Sequence, residues 1–127
     1  MAHIKFKTEK EKNEFESSRV KENLKFIVLD MASYFNSNGY DFVITDVLSE
    51  VQEDKKLKRI SSSHREGRAV DVRVHGLPGE FLKTFEEKFE RIYRNEAAVS
   101  KNTGEPNLIV RHNVGSGDHL HIQIKKS

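Results

Sequence analysis

Two short stretches of this chain carry residue types that can do chemistry. The first is Ser62-Ser63-His64-Arg65-Glu66-Gly67-Arg68-Ala69-Val70-Asp71, and the second is Gly117-Asp118-His119-Leu120-His121. They supply a histidine and an aspartate seven residues apart, then a distant histidine with an acid three residues before it. A catalytic zinc site needs such a set: three protein ligands, a fourth position open to water, and a nearby carboxylate to take the water's proton. Either stretch alone is a weak signal, because surface histidines and glycine turns leading into strands are common. Both together make a metallohydrolase with one zinc ion per chain the leading expectation.

The residues must then be positioned. Ala69 to His75 alternates, with Val70, Val72 and Val74 on one face and Ala69, Asp71 and Arg73 on the other. His119 to Lys125 alternates likewise, with Leu120, Ile122 and Ile124 inward and His119, His121 and Gln123 outward. If the two strands are neighbours, Asp71 and His121 point to the same open face. Gly67 frees the backbone for a tight turn between His64 and the first strand. Asp118 is in tension with this geometry, since three residues from His121 it faces the other way in a regular strand. The expectation is that Gly115 and Gly117 keep it in the turn, from which it swings back toward the water.

Other elements follow from spacing. The charged stretch from about 8 to 37 is expected to be helical, with Val20, Leu24, Ile27, Val28, Met31 and Phe35 on its core face and Asn36-Ser37-Asn38-Gly39 as its stop. Before Val20 it is nearly all polar and reads as a solvated extension. Asp41 to Asp46 and Asn107 to Asn113 read as strands, and residues 50–59 as a charged loop with a helical turn. A second helix starts near Pro78 and carries Phe81, Leu82, Phe85, Phe89, Ile92 and Tyr93. His3 reads as a flexible terminal residue, and His75 and His112 as solvated or structural residues at strand ends, either of which could approach the groove. The fold class expected is α+β, a small antiparallel sheet with helices packed on one face and a zinc groove on the other.

Composition bounds the rest. The 127 residues are expected to form a single domain, and charged residues at 33% with hydrophobic ones at 35% fit a soluble globular chain. The 22 basic and 20 acidic residues give a net charge of +2, which makes no electrostatic case for nucleic acid. Zero cysteines leave histidine and carboxylate as the metal ligands. No run is apolar enough to suggest membrane insertion, and Met1 to Lys7 lacks the apolar core of a signal peptide. A monomer made in the cytoplasm is the expectation.

Ser62, His64, Gly67, Ala69 and Asp71 fit Ser-x-His-x-x-Gly-x-Ala-x-Asp, which resembles a signature of the zinc D-alanyl-D-alanine carboxypeptidase family. That family includes VanX-type dipeptidases and phage endolysins that act as L-alanyl-D-glutamate peptidases, and the hedgehog signalling domain shares its fold. Asp118 and His121 reproduce its second element, an acid three residues before the last histidine, and aspartate there is more similar to the phage enzymes. The resemblance runs in order from about Phe42 to Ile124. It implies zinc on His64, Asp71 and His121, Asp118 as general base and then acid, and a peptidoglycan stem peptide as substrate. A phage-encoded enzyme of this kind acts on the cell wall after release by a holin.

The chain departs from the family where an arginine usually follows the strand before the histidine motif, because Thr45-Asp46-Val47-Leu48-Ser49-Glu50 stands there. Arg59, Arg68, Arg73 and His119 are the remaining donors for an oxyanion. Arg73 is the best placed by alternation, and His119 is expected to line the site. Ser62 and Arg73 are the expected substrate-binding residues, and Asp118 and His119 the catalytic ones. Two other readings stand beside the peptidase: a zinc-binding or phage structural module on the same scaffold, and an intracellular D-amino-acid dipeptidase.

Overall fold

The computed structural model describes residues 2–49, 55–56, 63–99, 104–114 and 117–126. Five strands, β1 (Ile4–Phe6), β2 (Phe42–Asp46), β3 (Ala69–Arg73), β4 (Ile109–Val114) and β5 (Gly117–Gln123), form one sheet in the order β1-β2-β3-β5-β4. Among the described residues three helices with both ends defined accompany it, α1 (Glu9–Glu16), α2 (Glu22–Ser37) and α3 (Gly79–Ile92), and a 3-10 turn (Arg94–Glu96) follows α3. Residues 55 and 56 are also helical, and the rest of the expected 50–59 loop lies outside the described residues. The fold is a small α+β one, with a mixed sheet rather than the expected antiparallel one: β1 runs parallel to β2, and the other pairings are antiparallel.

The N-terminal segment differs most from its reading. β1 is only three residues long, too short for periodicity to announce. Its neighbour His3 is held, its backbone N–H donating to Asn36 Oδ1 at 2.7 Å. Instead of one helix there are two, and α1 starts with a complete capping box: Thr8 caps the Lys10 amide, and the Glu11 side chain accepts from the Thr8 amide. The Ser17 hydroxyl donates to the Glu14 carbonyl and its backbone turns extended, which ends α1 before Val20. Phe15 is buried against Phe6, so this polar segment docks on the domain.

The core lies on one side of the sheet. Val70, Val72 and Val74 of the β3 segment and Leu120, Ile122 and Ile124 of the β5 segment are buried there with Phe42 and Ile44, as their alternation predicts. Leu24, Ile27, Val28, Met31 and Phe35 of α2 and Leu82, Phe85 and Phe89 of α3 cover them. Phe35 is fully buried and meets Phe42, Phe81 and Phe85 edge-on at 4.9–5.1 Å between ring centroids. Burying each such ring stabilises the fold by about 1.5–3 kcal/mol. Ile92, placed on the core face by spacing, is instead half exposed at the end of α3. Pro78 caps α3 where expected, its fixed φ of −61° suiting a helix entrance.

Candidate metal centre

The sheet register brings the two distant stretches together. Asp71 on β3 stands directly opposite His121 on β5, in the middle of a ladder running from Ala69↔Gln123 to Arg73↔His119. Directly opposed side chains have Cβ atoms about 4.5–5.5 Å apart, so both groups leave the sheet on the face away from the valines and isoleucines. Beside them, β2 carries a bulge between Ile44 and Asp46, and the Thr45 hydroxyl left there donates to the Asp71 carbonyl at 3.5 Å.

His64 arrives from a turn over residues 63–67. Gly67 closes that turn at φ +70°, with its N–H donating to the His64 carbonyl, and Arg68 N–H donates to the Ser63 carbonyl at 2.9 Å. Only glycine fits, because a Cβ at Gly67 would lie 1.9 Å from the Arg19 carbonyl oxygen. Arg68 is spent on structure, donating to the Ile124 carbonyl and to Glu66.

Asp71 Oδ1 lies 3.1 Å from His64 Nε2 and 3.0 Å from His121 Nδ1. One ligand atom from each residue falls within 4.8 Å of the others. A divalent ion sits about 2.0–2.2 Å from such atoms, so a small closure would join all three to one ion. His64, Asp71 and His121 form a group that could hold a metal ion. The outer ring nitrogens are also partnered. His64 Nδ1 donates to the Val47 carbonyl at 2.8 Å, which fixes its tautomer and leaves Nε2 as the inward atom. His121 Nε2 lies 3.0 Å from Gln123 Oε1 and 3.3 Å from Ser63 Oγ, while Gln123 Nε2 donates to the Asn107 carbonyl. Such outer partners orient ligating histidines.

Electrostatics suit a cation. Burial alone would push the Asp71 carboxyl up, but hydrogen bonds from His121 and His64, and the charge those rings carry when protonated, outweigh it. The group is held well below the usual carboxylate range.

The remaining expected residues fall differently. Ser62 and Arg59 lie outside the described residues. The buried Ser63 is the serine beside His121. His119 lies on the open face as expected, its ring 5.2 Å from that of His112, its direct partner on β4. His112 therefore approaches the groove, the second of the two places its position at a strand end left open. Its ring is 6.2 Å from that of His121, and burial, with His119 and His121 nearby, pushes its imidazole below the usual range. Arg73 stands opposite His119, one alternation step from Asp71, with an exposed side chain.

Asp118 is not brought to the cluster. It is inside β5, opposite Asn113, and its carbonyl accepts from Val74 N–H at 3.2 Å. Strand alternation sets it with Leu120 and Ile122, not with His121, so the swing back from a turn is not how the strand begins. Sequence reading also missed Gln123 and Val47. The Gln123 signal was available, since it shares the alternation of His121, whereas a backbone carbonyl such as that of Val47 leaves none. Comparison with protein-family models, with curated proteins and with solved structures gives no match to the chain.

Proposed function

We propose that this chain is a zinc-dependent peptidase that hydrolyses peptidoglycan stem peptides, in the manner of a phage endolysin or a D,D-carboxypeptidase. The observation that carries the reading is the convergence of His64, Asp71 and His121, each ring nitrogen that faces away from Asp71 already partnered. The order and spacing of the motifs, which resemble those of the zinc carboxypeptidases, support the substrate class. Zinc held there would polarise a scissile carbonyl and lower the pKa of a coordinated water to about 7.

The chain's own residues do the rest. Asp71, held ionised, would share the metal with the inward nitrogens of His64 and His121, whose outer nitrogens stay bonded to the Val47 carbonyl and Gln123 Oε1. His119, on the face of His121 and two residues from it, accepts the proton of the attacking water and returns it to the departing amine. His112 packs its ring 5.2 Å from that of His119 and bounds the open face on that side. Arg73, directly opposite His119, supplies positive charge to the developing oxyanion. Asp118 is the base that the motif implies, and it acts only if the start of β5 leaves its ladder.

The place of Asp118 and the absence of an arginine among residues 45–50 favour one second reading, a metal-binding or phage structural module without catalysis. One experiment separates them. Zinc-loaded wild type, His119→Ala and Asp118→Asn are incubated with purified peptidoglycan, released peptides are identified by mass, and metal content is measured in each. The peptidase reading expects peptide release by the wild type and a loss of about 10²–10⁴-fold in the variant that removes the base, with zinc retained. Zinc-replete wild type that releases nothing from any wall chemotype selects the binding module.

A further inference from the structure

The peptide group joining Val47 to Leu48 is bonded by a side chain at each end. Its carbonyl accepts from His64 Nδ1 at 2.8 Å, and its N–H donates to Glu14 Oε1 at 3.2 Å. We propose that Glu14 is a positioning residue for the metal centre, its carboxylate acting on His64 through this one peptide group. The proposal rests on reading His64, Asp71 and His121 as metal ligands.

The physics is that of a relay. In a trans peptide the N–H and C=O point in opposite directions, so carboxylate, amide and imidazole fall in sequence. A negative charge on the N–H side polarises the amide and makes its carbonyl a stronger acceptor, as in any chain of hydrogen bonds. A stronger acceptor at Nδ1 makes Nε2 a better donor of electrons to a metal and stops the ring rotating. A carboxylate touching a ligating histidine has the same effect directly, and here one amide stands between them. Val47 and Leu48 are 0% and 4% exposed, so water does not dilute the interaction. The second carboxylate oxygen of Glu14 is 3.6 Å from Lys10 Nζ, which steers Oε1 toward the amide.

The same N-terminal segment also supports His64 from its other side. Lys21 N–H donates to the Gly67 carbonyl at 3.0 Å, and Gly67 packs against the Arg19 carbonyl. Glu14, Arg19 and Lys21 thus hold the turn that delivers His64, although the segment before Val20 reads in sequence as a solvated extension. The relay adds to this a demand for charge that packing alone does not make.

Charge and packing are separated by Glu14→Gln, which keeps an oxygen to accept from Leu48 N–H and removes only the charge. The full chain is loaded with zinc in competition with a chromophoric chelator, and the zinc dissociation constant is compared for wild type, Glu14→Gln and Glu14→Ala. Urea unfolding of the metal-free proteins is run in parallel. The relay expects Glu14→Gln to bind zinc about tenfold more weakly with unfolding nearly unchanged, and Glu14→Ala to be weaker still, toward about 100-fold. It also expects the His64 Nδ1 proton of metal-free Glu14→Gln to move upfield by NMR, as its hydrogen bond loosens. A Glu14→Gln variant with wild-type zinc affinity and an unmoved His64 proton overturns the relay, whatever Glu14→Ala does. A wild type that binds no zinc overturns the metal centre instead, and the proton shift then decides the relay separately.

Discussion

Replacing Asp71 by asparagine tests the centre at its hub, because the same oxygen faces both histidines. Asparagine keeps the shape and one carbonyl oxygen, and removes the charge. Two contacts to the ionised acceptor are affected, at 3.0 Å and 3.1 Å, each a hydrogen bond when its ring is protonated at both nitrogens. Bonds to charged groups contribute about 1.5–3 kcal/mol each, against about 0.5–1.5 kcal/mol for neutral ones, so the change removes roughly 2–3 kcal/mol from the metal-free fold. A metal held there would lose its anionic ligand outright. Loss of an outer partner alone costs 10–100-fold in affinity, so loss of this ligand costs at least about 100-fold, or about 2.7 kcal/mol.

Acid gives a second readout with a definite sign. The folded-state pKa of Asp71 is depressed below the ordinary 3.8, so between the two values the unfolded chain binds more protons and stability rises with pH. The contribution is complete above 3.8 and is lost as pH falls through the folded value. Asp71→Asn should therefore be less stable than wild type at neutral pH, with the gap narrowing as pH drops below 3.8. Zinc competition and urea titrations across that range measure both effects. An asparagine variant that binds zinc within threefold of wild type, with a parallel acid limb, would falsify the hub role.

Three further outcomes rest on other parts of the fold. Gly67→Ala places a Cβ 1.9 Å from a backbone oxygen at φ +70°, so it should cost more than the roughly 1–3 kcal/mol of the backbone strain alone and weaken zinc binding by displacing His64; urea unfolding and metal competition check both. Phe35→Ala empties the centre of the aromatic cluster and should destabilise by about 3–5 kcal/mol in urea, with zinc affinity of the folded protein little changed. Tyr93 is pushed up to about 12, first by burial and then by its 2.6 Å bond to Asp30. Its raised pKa means that stability present below pH 10 is lost as pH rises toward 12, and Tyr93→Phe should flatten that alkaline limb of the unfolding curve.

How far the sequence reached depended on the range of the forces involved. Alternation in Ala69–Arg73 and in the β5 segment reports one strand's two faces, and it put Asp71 and His121 on the open face before any pairing was known. Their exact opposition needed the register, which is set by the buried partners Val70↔Ile122 and Val72↔Leu120. The parallel edge strand was invisible because three residues cannot show a period, and the helix break at Ser17 because a serine bonding back to a carbonyl reads like any polar helix residue. Asp118 was misplaced by trusting two glycines to break a strand whose ladder reaches through it. His112 was left between a solvated place and the groove because its partner His119 lies on the neighbouring strand, and neither residue's own spacing points to the other.

The outer contacts of the centre follow from which of the three candidate ligands is least secure. Asp71 and His121 sit on adjacent strands in the interior of the sheet, where backbone ladders on both sides of each strand fix their positions. His64 sits on a turn, with no ladder of its own, and a loosely held ligand costs affinity through the entropy of ordering it. It is also the most deeply buried of the three, at 2% exposure, so an unbonded ring nitrogen there would be expensive. Both demands are met from outside the sheet. The Val47 carbonyl satisfies and aims the ring, Glu14 secures that carbonyl's peptide, and the Arg19–Lys21 backbone closes over Gly67. A chain with its ligands on strands alone would need none of this. Because His64 comes from a turn, the N-terminal helix supports the candidate metal centre rather than standing apart from it.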